Sequence, residues 1–357
     1  MANIDTLPIN ITRANKSNLS QVDLSNIPFG RVFTDHMLVA DYKDGEWVSA
    51  SIKPFGRLDM HPAMSALHYG QSIFEGLKAY KNQKGEPVLF RPYDNFERFN
   101  KSAERMCMAT VPESIWMDGL MKLIEIDQAW IPTSQGSSLY IRPFMFATDE
   151  YVGIKPADNF RFVIFCSPVG AYYPEPISVK IEETFVRAAQ GGIGAAKAAG
   201  NYGASLYPNK LAVEEGYRQL IWTDAKEHKY IEESGTMNVF FVINNEIITP
   251  SVERDTILKG ITRKSVIQLS KDIGYLISER AVTVQEVVDA ARNGNLQDAF
   301  GAGTAATIAH ISAIGFRNER FELAPVSERT ISNNILNKLD SIRLGKEADP
   351  YGWVVKV

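Results

Sequence analysis

Only two cysteines, Cys107 and Cys166, occur in 357 residues, which leaves no disulfide framework or thiolate metal cluster and points to a reducing compartment. Histidine is scarce too, at five, and His36, His61, His68 and His228 fall at no ligand spacing, so no metal site is expected. No apolar run approaches the roughly 18 residues that a membrane span needs. The stretch from Met1 to Ser20 is polar, with Asp5 and only Arg13 and Lys16 as cations, unlike a secretory signal or a transit peptide. Positive charge is not in excess: 38 Lys+Arg face 42 Asp+Glu, a net charge of -4, so nothing in the field favours nucleic acid or an anionic membrane. These absences leave an expectation of a cytoplasmic metabolic enzyme. Its composition, 45% hydrophobic and 22% charged, is that of an ordinary globular protein, and its length suits two domains.

The chain carries no internal repeats. Asp94 with Glu97 reads as a capping box, followed by Phe96, Phe99, Ala103 and Met106 at helical spacing, and a second helix is expected from Ser114 to Trp130. Two strand-like runs follow, Ser138 to Phe144 and Phe160 to Ser167. The segment Ala171-Tyr172-Tyr173-Pro174-Glu175-Pro176 can continue neither element and reads as a connector over residues 171–177. That predicts a smaller domain over 1–170 and a larger one over 178–357. In the second half, Ala204 to Gly216 reads as a helix and Gln219 to Thr223 as a strand. Met237 to Ile243 and Glu246 to Thr249 form a hairpin around Asn244-Asn245. Helices follow at Thr262 to Ile273, after the Thr283/Glu286 cap, and at Ser327 to Leu344, where Ile331, Ile335, Leu339 and Ile342 form a stripe. Strands and helices mix without regular alternation, which predicts α+β.

The run from Gly191 to Gly203 sets one lysine, Lys197, among nine Gly or Ala residues, with Tyr202 five positions on. Glycines admit a bulky planar ligand, and a crowded apolar setting depresses an ammonium pKa. This suits a lysine that carries a pyridoxal ring as a Schiff base; the plainer reading is a glycine-rich surface loop. Gly260-Ile261-Thr262-Arg263 opens a helix and can offer amides and a hydroxyl to an anion, unless Thr262 is simply an N-cap. Gly301-Ala302-Gly303-Thr304-Ala305-Ala306 can do the same. It also matches a loose dinucleotide fingerprint, but Thr307 to Ile314 reads as strand where that motif needs helix. Glu232-Glu233 precedes a strand, and one of the two can keep a pyridine nitrogen protonated; an adjacent acidic pair is more commonly a solvated turn.

Taken together with Leu67-His68-Tyr69-Gly70-Gln71-Ser72-Ile73-Phe74-Glu75-Gly76-Leu77-Lys78-Ala79-Tyr80, Leu89-Phe90-Arg91-Pro92 and Ser138 to Pro143, these motifs closely resemble the branched-chain amino acid aminotransferases. Those are fold-type IV pyridoxal phosphate enzymes with a two-domain, D-amino acid aminotransferase-like fold, and the resemblance runs from about Pro28 to the C-terminus. It implies pyridoxal 5'-phosphate as cofactor and Lys197 as its Schiff-base lysine and general acid–base. It implies Arg91, Ile261, Thr262 and Thr304 at the phosphate, Tyr202 at the ring oxygen, Glu233 at the ring nitrogen, and Thr236 among the cofactor contacts. Tyr69, Phe74, Tyr140 and Tyr172 would line the substrate pocket, Arg142 would meet the distal carboxylate of glutamate, and Ala305 would help hold the α-carboxylate. It further implies L-Leu, L-Ile or L-Val with 2-oxoglutarate as substrates, ping-pong kinetics and a homodimer with active sites near the interdomain cleft. The loop Tyr151-Val152-Gly153-Ile154 would reach the partner's pocket.

One departure from the pattern matters. Where some relatives carry a Cys-x-x-Cys pair, this chain has Ala306 and Ala309, so that thiol switch is excluded, and His310 reads as a packed or surface residue. The competing readings are a D-amino acid aminotransferase, disfavoured by the Tyr140/Arg142 pair, and an aminodeoxychorismate lyase, disfavoured by length and the aromatic set. A degenerate binding protein would have lost Lys197, Arg91 or Glu233. A nicotinamide oxidoreductase fails on the context of the Gly301 run.

Overall fold

The computed structural model describes residues 7–25, 27–170, 172–173 and 175–357. The expected connector over 171–177 therefore lies in part outside the described residues. In chain order the elements are β1 (Ile9–Ile11), β2 (His36–Lys43), β3 (Glu46–Pro54), α1 (Ser65–Tyr69), β4 (Ser72–Phe74), β5 (Leu77–Lys81), β6 (Pro87–Phe90), α2 (Pro92–Arg105), α3 (Gly119–Asp127), β7 (Ser138–Ala147) and β8 (Phe160–Val169). There follow β9 (Ile177–Ile181), α4 (Ala199–Ala204), α5 (Leu206–Glu214), β10 (Gln219–Thr223), β11 (Ile231–Ser234), β12 (Met237–Ile243) and β13 (Glu246–Pro250). The chain ends with α6 (Ile261–Ile273), β14 (Leu276–Arg280), α7 (Val284–Arg292), β15 (Leu296–Gly303), β16 (Thr307–Phe316), β17 (Glu319–Glu322), α8 (Thr330–Arg343) and β18 (Val354–Lys356). The mixture is α+β. None of these helices is long and apolar enough to cross a membrane.

The described residues divide into two compact units. The first holds the chain through Tyr172 together with Ala196–Ala199 and Ser341–Val357; the second holds Tyr173–Ala195 and Gly200–Asp340. Two segments expected in the second half thus pack with the first. The physical reason is strand pairing: β18 is antiparallel to β6, with Val354 opposite Phe90 and Lys356 opposite Val88, and Ala198 forms a bridge with Ile73.

The first unit is built on a nine-stranded sheet in the order β1-β3-β2-β8-β7-β5-β6-β18, with β4 beside β7. Its long central strands β7 and β8 are buried on nearly every residue. α2 lays Asn95, Phe99, Ser102 and Ala103 inward, one stripe of a 3.6-residue period. There Phe99 stands 5.0 Å from Trp116 and 5.4 Å from Phe162. The capping box expected at Asp94 is absent. α2 begins earlier, after Arg91 in a left-handed conformation (φ 53°) and with Pro92 in the first turn; proline suits that position because its missing N–H has no helical partner there. The Asp94 carboxylate pairs with Arg91 instead. The helix expected over Ser114–Trp130 exists but changes pitch, from a wide turn at Ser114–Asp118 through α3 to a tight one at Gln128–Trp130.

The second unit carries another nine-stranded sheet, ordered β11-β10-β9-β16-β15-β12-β13-β14, with β17 on β16. Because β11 also pairs with β12, the strands β11, β10, β9, β16, β15 and β12 close on themselves. Val179, Ile221, Val239, Phe241, Ile311 and Val287 belong to one buried cluster of this unit. Local signals are expressed here as expected. Asn244 and Asn245 take positive φ of 51° and 65° between β12 and β13, as a two-residue hairpin turn requires. Gly274 caps α6 at φ 93°, and Thr283 accepts the Glu286 N–H at the start of α7. β16 follows the Gly301 run as a strand, which removes the dinucleotide reading.

Candidate active site

In the first unit the candidate groups gather around Phe74. Lys197 is stitched there by its backbone: its N–H donates to Ser102 Oγ on α2 at 3.0 Å, and its carbonyl accepts the Phe74 N–H at 3.0 Å. The Lys197 ammonium lies 4.7 Å from the Phe74 ring centroid. Arg142, on β7, sets its guanidinium carbon 4.6 Å from the same centroid and 5.3 Å from that of Tyr140, and donates from Nη2 to the Tyr140 hydroxyl at 3.0 Å. Two cations thus address one aromatic ring. Among the described residues Arg142 has no carboxylate partner, and its buried Nε has no hydrogen-bond partner. A half-buried guanidinium in that state attracts an anionic ligand.

The wall around these cations is aromatic. Phe29 links Tyr140 (5.3 Å) to Tyr172 (4.6 Å), edge-on in both cases. Gly76 makes room for Tyr140, since a Cβ there would overlap its hydroxyl. Tyr69 is not part of this cluster: it is exposed at the end of α1, and its ring approaches His68 at 6.1 Å. Arg91, where β6 meets α2, sets Nε and Nη2 on the Asp94 carboxylate at 2.9 and 2.8 Å.

Motif reading assigned no role to the ionic frame behind Phe74. Glu75 is fully buried and accepts from Arg98 Nε at 2.7 Å, Arg98 Nη2 at 2.9 Å and Asn95 Nδ2 at 2.8 Å. Burial alone would raise its pKa, but the charge and hydrogen bonds of Arg98, the charge of Lys197 and the Asn95 amide together hold it below the ordinary carboxylate value. The surroundings of Lys197 are therefore aromatic and ionic rather than simply apolar. Nor do the glycines of its run all serve a ligand. Gly194 is needed because a Cβ would lie 2.6 Å from the Thr256 carbonyl, whereas a Cβ at Gly203 would meet open space.

In the second unit three backbone features share one end of the sheet. Asn238 on β12 stands opposite Glu233 on β11 and Ala302 on β15, so the Gly235-Thr236 turn and the Thr304-Ala305-Ala306 turn project from the same end. Asn238 also donates to the Leu258 carbonyl at 2.9 Å. Its Oδ1 sits where a Cβ on Gly260 would be, which brings the start of α6 to that end as well. Gly260, not Thr262, is the N-cap of α6. Ile261 and Thr262 then occupy the first turn, the glycine N-cap offers their amides no side-chain cap, and the helix dipole adds partial positive charge.

Both acidic residues lie within β11 and are buried, so the solvated-turn reading does not hold. Glu233 accepts the Leu258 N–H at 2.6 Å and lies 3.3 Å from Arg187 Nη2. That guanidinium is itself anchored on the carbonyls of Gly194 (3.0 Å) and Thr256 (2.6 Å). Burial pushes Glu232 up to about 6, against a Thr256 hydrogen bond and the Arg187 charge and with help from the Glu233 and Asp224 charges. Thr236 is exposed at its turn, Thr304 and Ala305 are half-buried, and Tyr202 is half-buried on α4. Arg187 was not anticipated; nothing in its local sequence marks it.

The family described as Amino-transferase class IV matches residues 72–314. Over 356 residues the chain is 42% identical to branched-chain-amino-acid aminotransferase 2 of Bacillus subtilis (strain 168), covering 99% of this chain and 97% of that one. It is similar to the solved branched-chain aminotransferase of Thermoproteus uzoniensis with norvaline (TM-score 0.74, 25% identity, 90% of this chain and 99% of that one). A further similarity is to the solved branched-chain amino acid aminotransferase of Escherichia coli (TM-score 0.72, 27% identity, 90% and 98%).

Proposed function

Because the chain belongs to the class IV aminotransferases, we propose that it moves the amino group reversibly between L-Leu, L-Ile or L-Val and 2-oxoglutarate. The names of its relatives support that substrate class, and the cofactor is pyridoxal 5'-phosphate. When bound, that cofactor supplies an electron-withdrawing ring that makes the substrate Cα–H acidic. The residues present suit the group: a buried carboxylate for a protonated ring nitrogen, and uncapped first-turn amides for a phosphate.

The roles proposed are those that the family resemblance implies. Lys197 is the amine that carries the cofactor and then moves the proton at Cα. Glu233 favours the proton on the ring nitrogen by charge pairing, and Arg187 stands beside that carboxylate as its counter-charge. Ile261 and Thr262 amides, Thr304 and Arg91 take the phosphate, Tyr202 donates to the ring oxygen, and Thr236 completes the contacts from its turn. Phe74, Tyr140 and Tyr172 give the apolar wall, Arg142 takes the distal carboxylate, and the Ala305 turn takes the α-carboxylate. One pocket can serve both substrates because apolar contact carries the branched chain and a charge pair carries glutamate. A second 2-oxo acid then collects the amino group, which gives ping-pong kinetics.

The observation that carries this reading is the pair of cations on Phe74, of which Arg142 has no carboxylate partner among the described residues. The test is spectral. L-leucine should convert the visible band of the purified holoenzyme and D-alanine should not; a band that responds only to D-alanine would overturn the stereochemistry. We also place the enzyme in the cytoplasm, on its two free cysteines, and propose a homodimer. Support for the dimer comes from Leu67, Tyr69, Tyr151, Val152 and Ile154, all exposed and brought together where the Ser65 N–H donates to the Asp149 carbonyl. Light scattering that reports a monomer at micromolar concentration would refute it.

A further inference from the structure

We propose that the C-terminal strand belongs to the phosphate-binding apparatus, with Trp353 as a positioning residue that fixes the Arg91 guanidinium. The inference rests on the reading of Arg91 as a phosphate ligand.

Arg91 stands where the chain leaves β6 and enters α2, at φ 53° and ψ 45°. A non-glycine residue pays a conformational cost in that region and stays there only when its neighbours hold it. Trp353, far along the sequence, does so through two contacts. The Arg91 N–H donates to the Trp353 carbonyl at 2.6 Å, and its guanidinium carbon lies 4.9 Å from the Trp353 ring centroid. Asp94 takes the Nε and Nη2 edge, so one carboxylate and one indole face together define where the charge sits.

Trp353 is itself held on several sides. It stacks on Tyr351 at 4.0 Å and 21°, meets Phe90 nearly edge-on at 5.8 Å, and is 8% exposed. The segment is fastened as a strand. Val355 pairs with Leu89, the Val357 N–H donates to the Pro87 carbonyl at 3.1 Å, and Asp349 accepts the N–H groups of Tyr351 (3.1 Å) and Val354 (2.8 Å). Arginine loses freedom when it grips a phosphate, and a side chain already stacked and paired loses less. The last residues of the chain thereby prepare a cation for a dianionic ligand.

The experiment measures binding to apoenzyme by titration with pyridoxal 5'-phosphate and, separately, with pyridoxal, which lacks the phosphate. Arg91→Ala should weaken pyridoxal 5'-phosphate roughly 100-fold, through lost charge-assisted hydrogen bonds. Trp353→Leu should weaken it about tenfold, the scale of a partly desolvated cation–π contact, and Trp353→Phe should restore most of that loss. Pyridoxal should bind wild type and Trp353→Leu alike. If Trp353→Leu does not fold, Tyr351→Leu should give a smaller loss of the same phosphate-specific kind. Equal losses for both ligands in the folded tryptophan variant, or none for either, would overturn the proposal while leaving Arg91 its role. Unchanged affinity in Arg91→Ala would overturn the reading beneath it.

Discussion

The two units present their candidate groups in different ways. In the first, recognition is assembled from side chains: Lys197, Arg142, Tyr140 and Phe74 stand on strands or stitched segments, with the Glu75–Arg98 pair buried behind them. In the second, it is assembled from backbone: the first turn of α6 and the turns at Gly235-Thr236 and Thr304-Ala305 project from one sheet end, with Glu233 as the charged exception. In the roles proposed above the contrast separates two tasks, with Arg91 the phosphate contact that the first unit adds. Substrate side chains vary, and a side-chain wall can be retuned by single substitutions. A phosphate does not vary, and backbone amides cannot be mutated away, only displaced by crowding.

That contrast can be broken from the side-chain end first. Arg98→Ala should cost about 3–5 kcal/mol of stability in chemical denaturation, because it strands the Glu75 charge in a fully buried position; a loss under about 1 kcal/mol would mean that Glu75 simply protonates. Arg142→Gln should raise the KM for 2-oxoglutarate roughly 10–100-fold, the scale of a hydrogen bond to a charged group, and leave L-leucine within about threefold. Equal effects on both substrates would deny the distal-carboxylate role.

On the backbone side, Gly260→Ala should destabilise by about 1–3 kcal/mol, because its Cβ would overlap Asn238 Oδ1, whose amide is committed to Leu258. Gly203→Ala, in open space on α4, should be neutral or slightly stabilising. Thermal melts of the two variants that move together would erase the distinction.

A pH-dependent effect concerns Glu232. Its native pKa of about 6 lies above the unfolded value of 4.5, so the native state holds the proton more tightly and stability falls as pH rises through that window. Glu232→Gln lacks the penalty. The stability difference between variant and wild type should therefore grow in the variant's favour by up to about 2 kcal/mol from roughly pH 4 to pH 7, and a difference that stays flat would contradict the burial argument.

How much of this was legible in the sequence depended on whether the signal was local. The Asn244-Asn245 hairpin, the Thr283 cap and the Gly274 stop are each decided within a few neighbouring residues, and each appears as written. The Asp94/Glu97 box was just as local and still failed, because Arg91 competes for the same carboxylate and Pro92 starts the helix sooner. Closure of the second sheet through β11 and the pairing of β18 with β6 depend on partners far along the chain, which no periodicity encodes. The ionic frame was hidden for the same reason: Arg98 lies 23 positions from Glu75, and Arg187 46 from Glu233. Glycines misled in a third way, since Gly194 answers to the Thr256 carbonyl rather than to a ligand.

The most direct test of the central assignment is to reduce the holoenzyme with borohydride, digest it, and locate the cofactor mass by peptide sequencing. A single modified peptide is expected, with the pyridoxyl group on Lys197. Modification at another lysine, or none in a protein that turns over L-leucine, would contradict it.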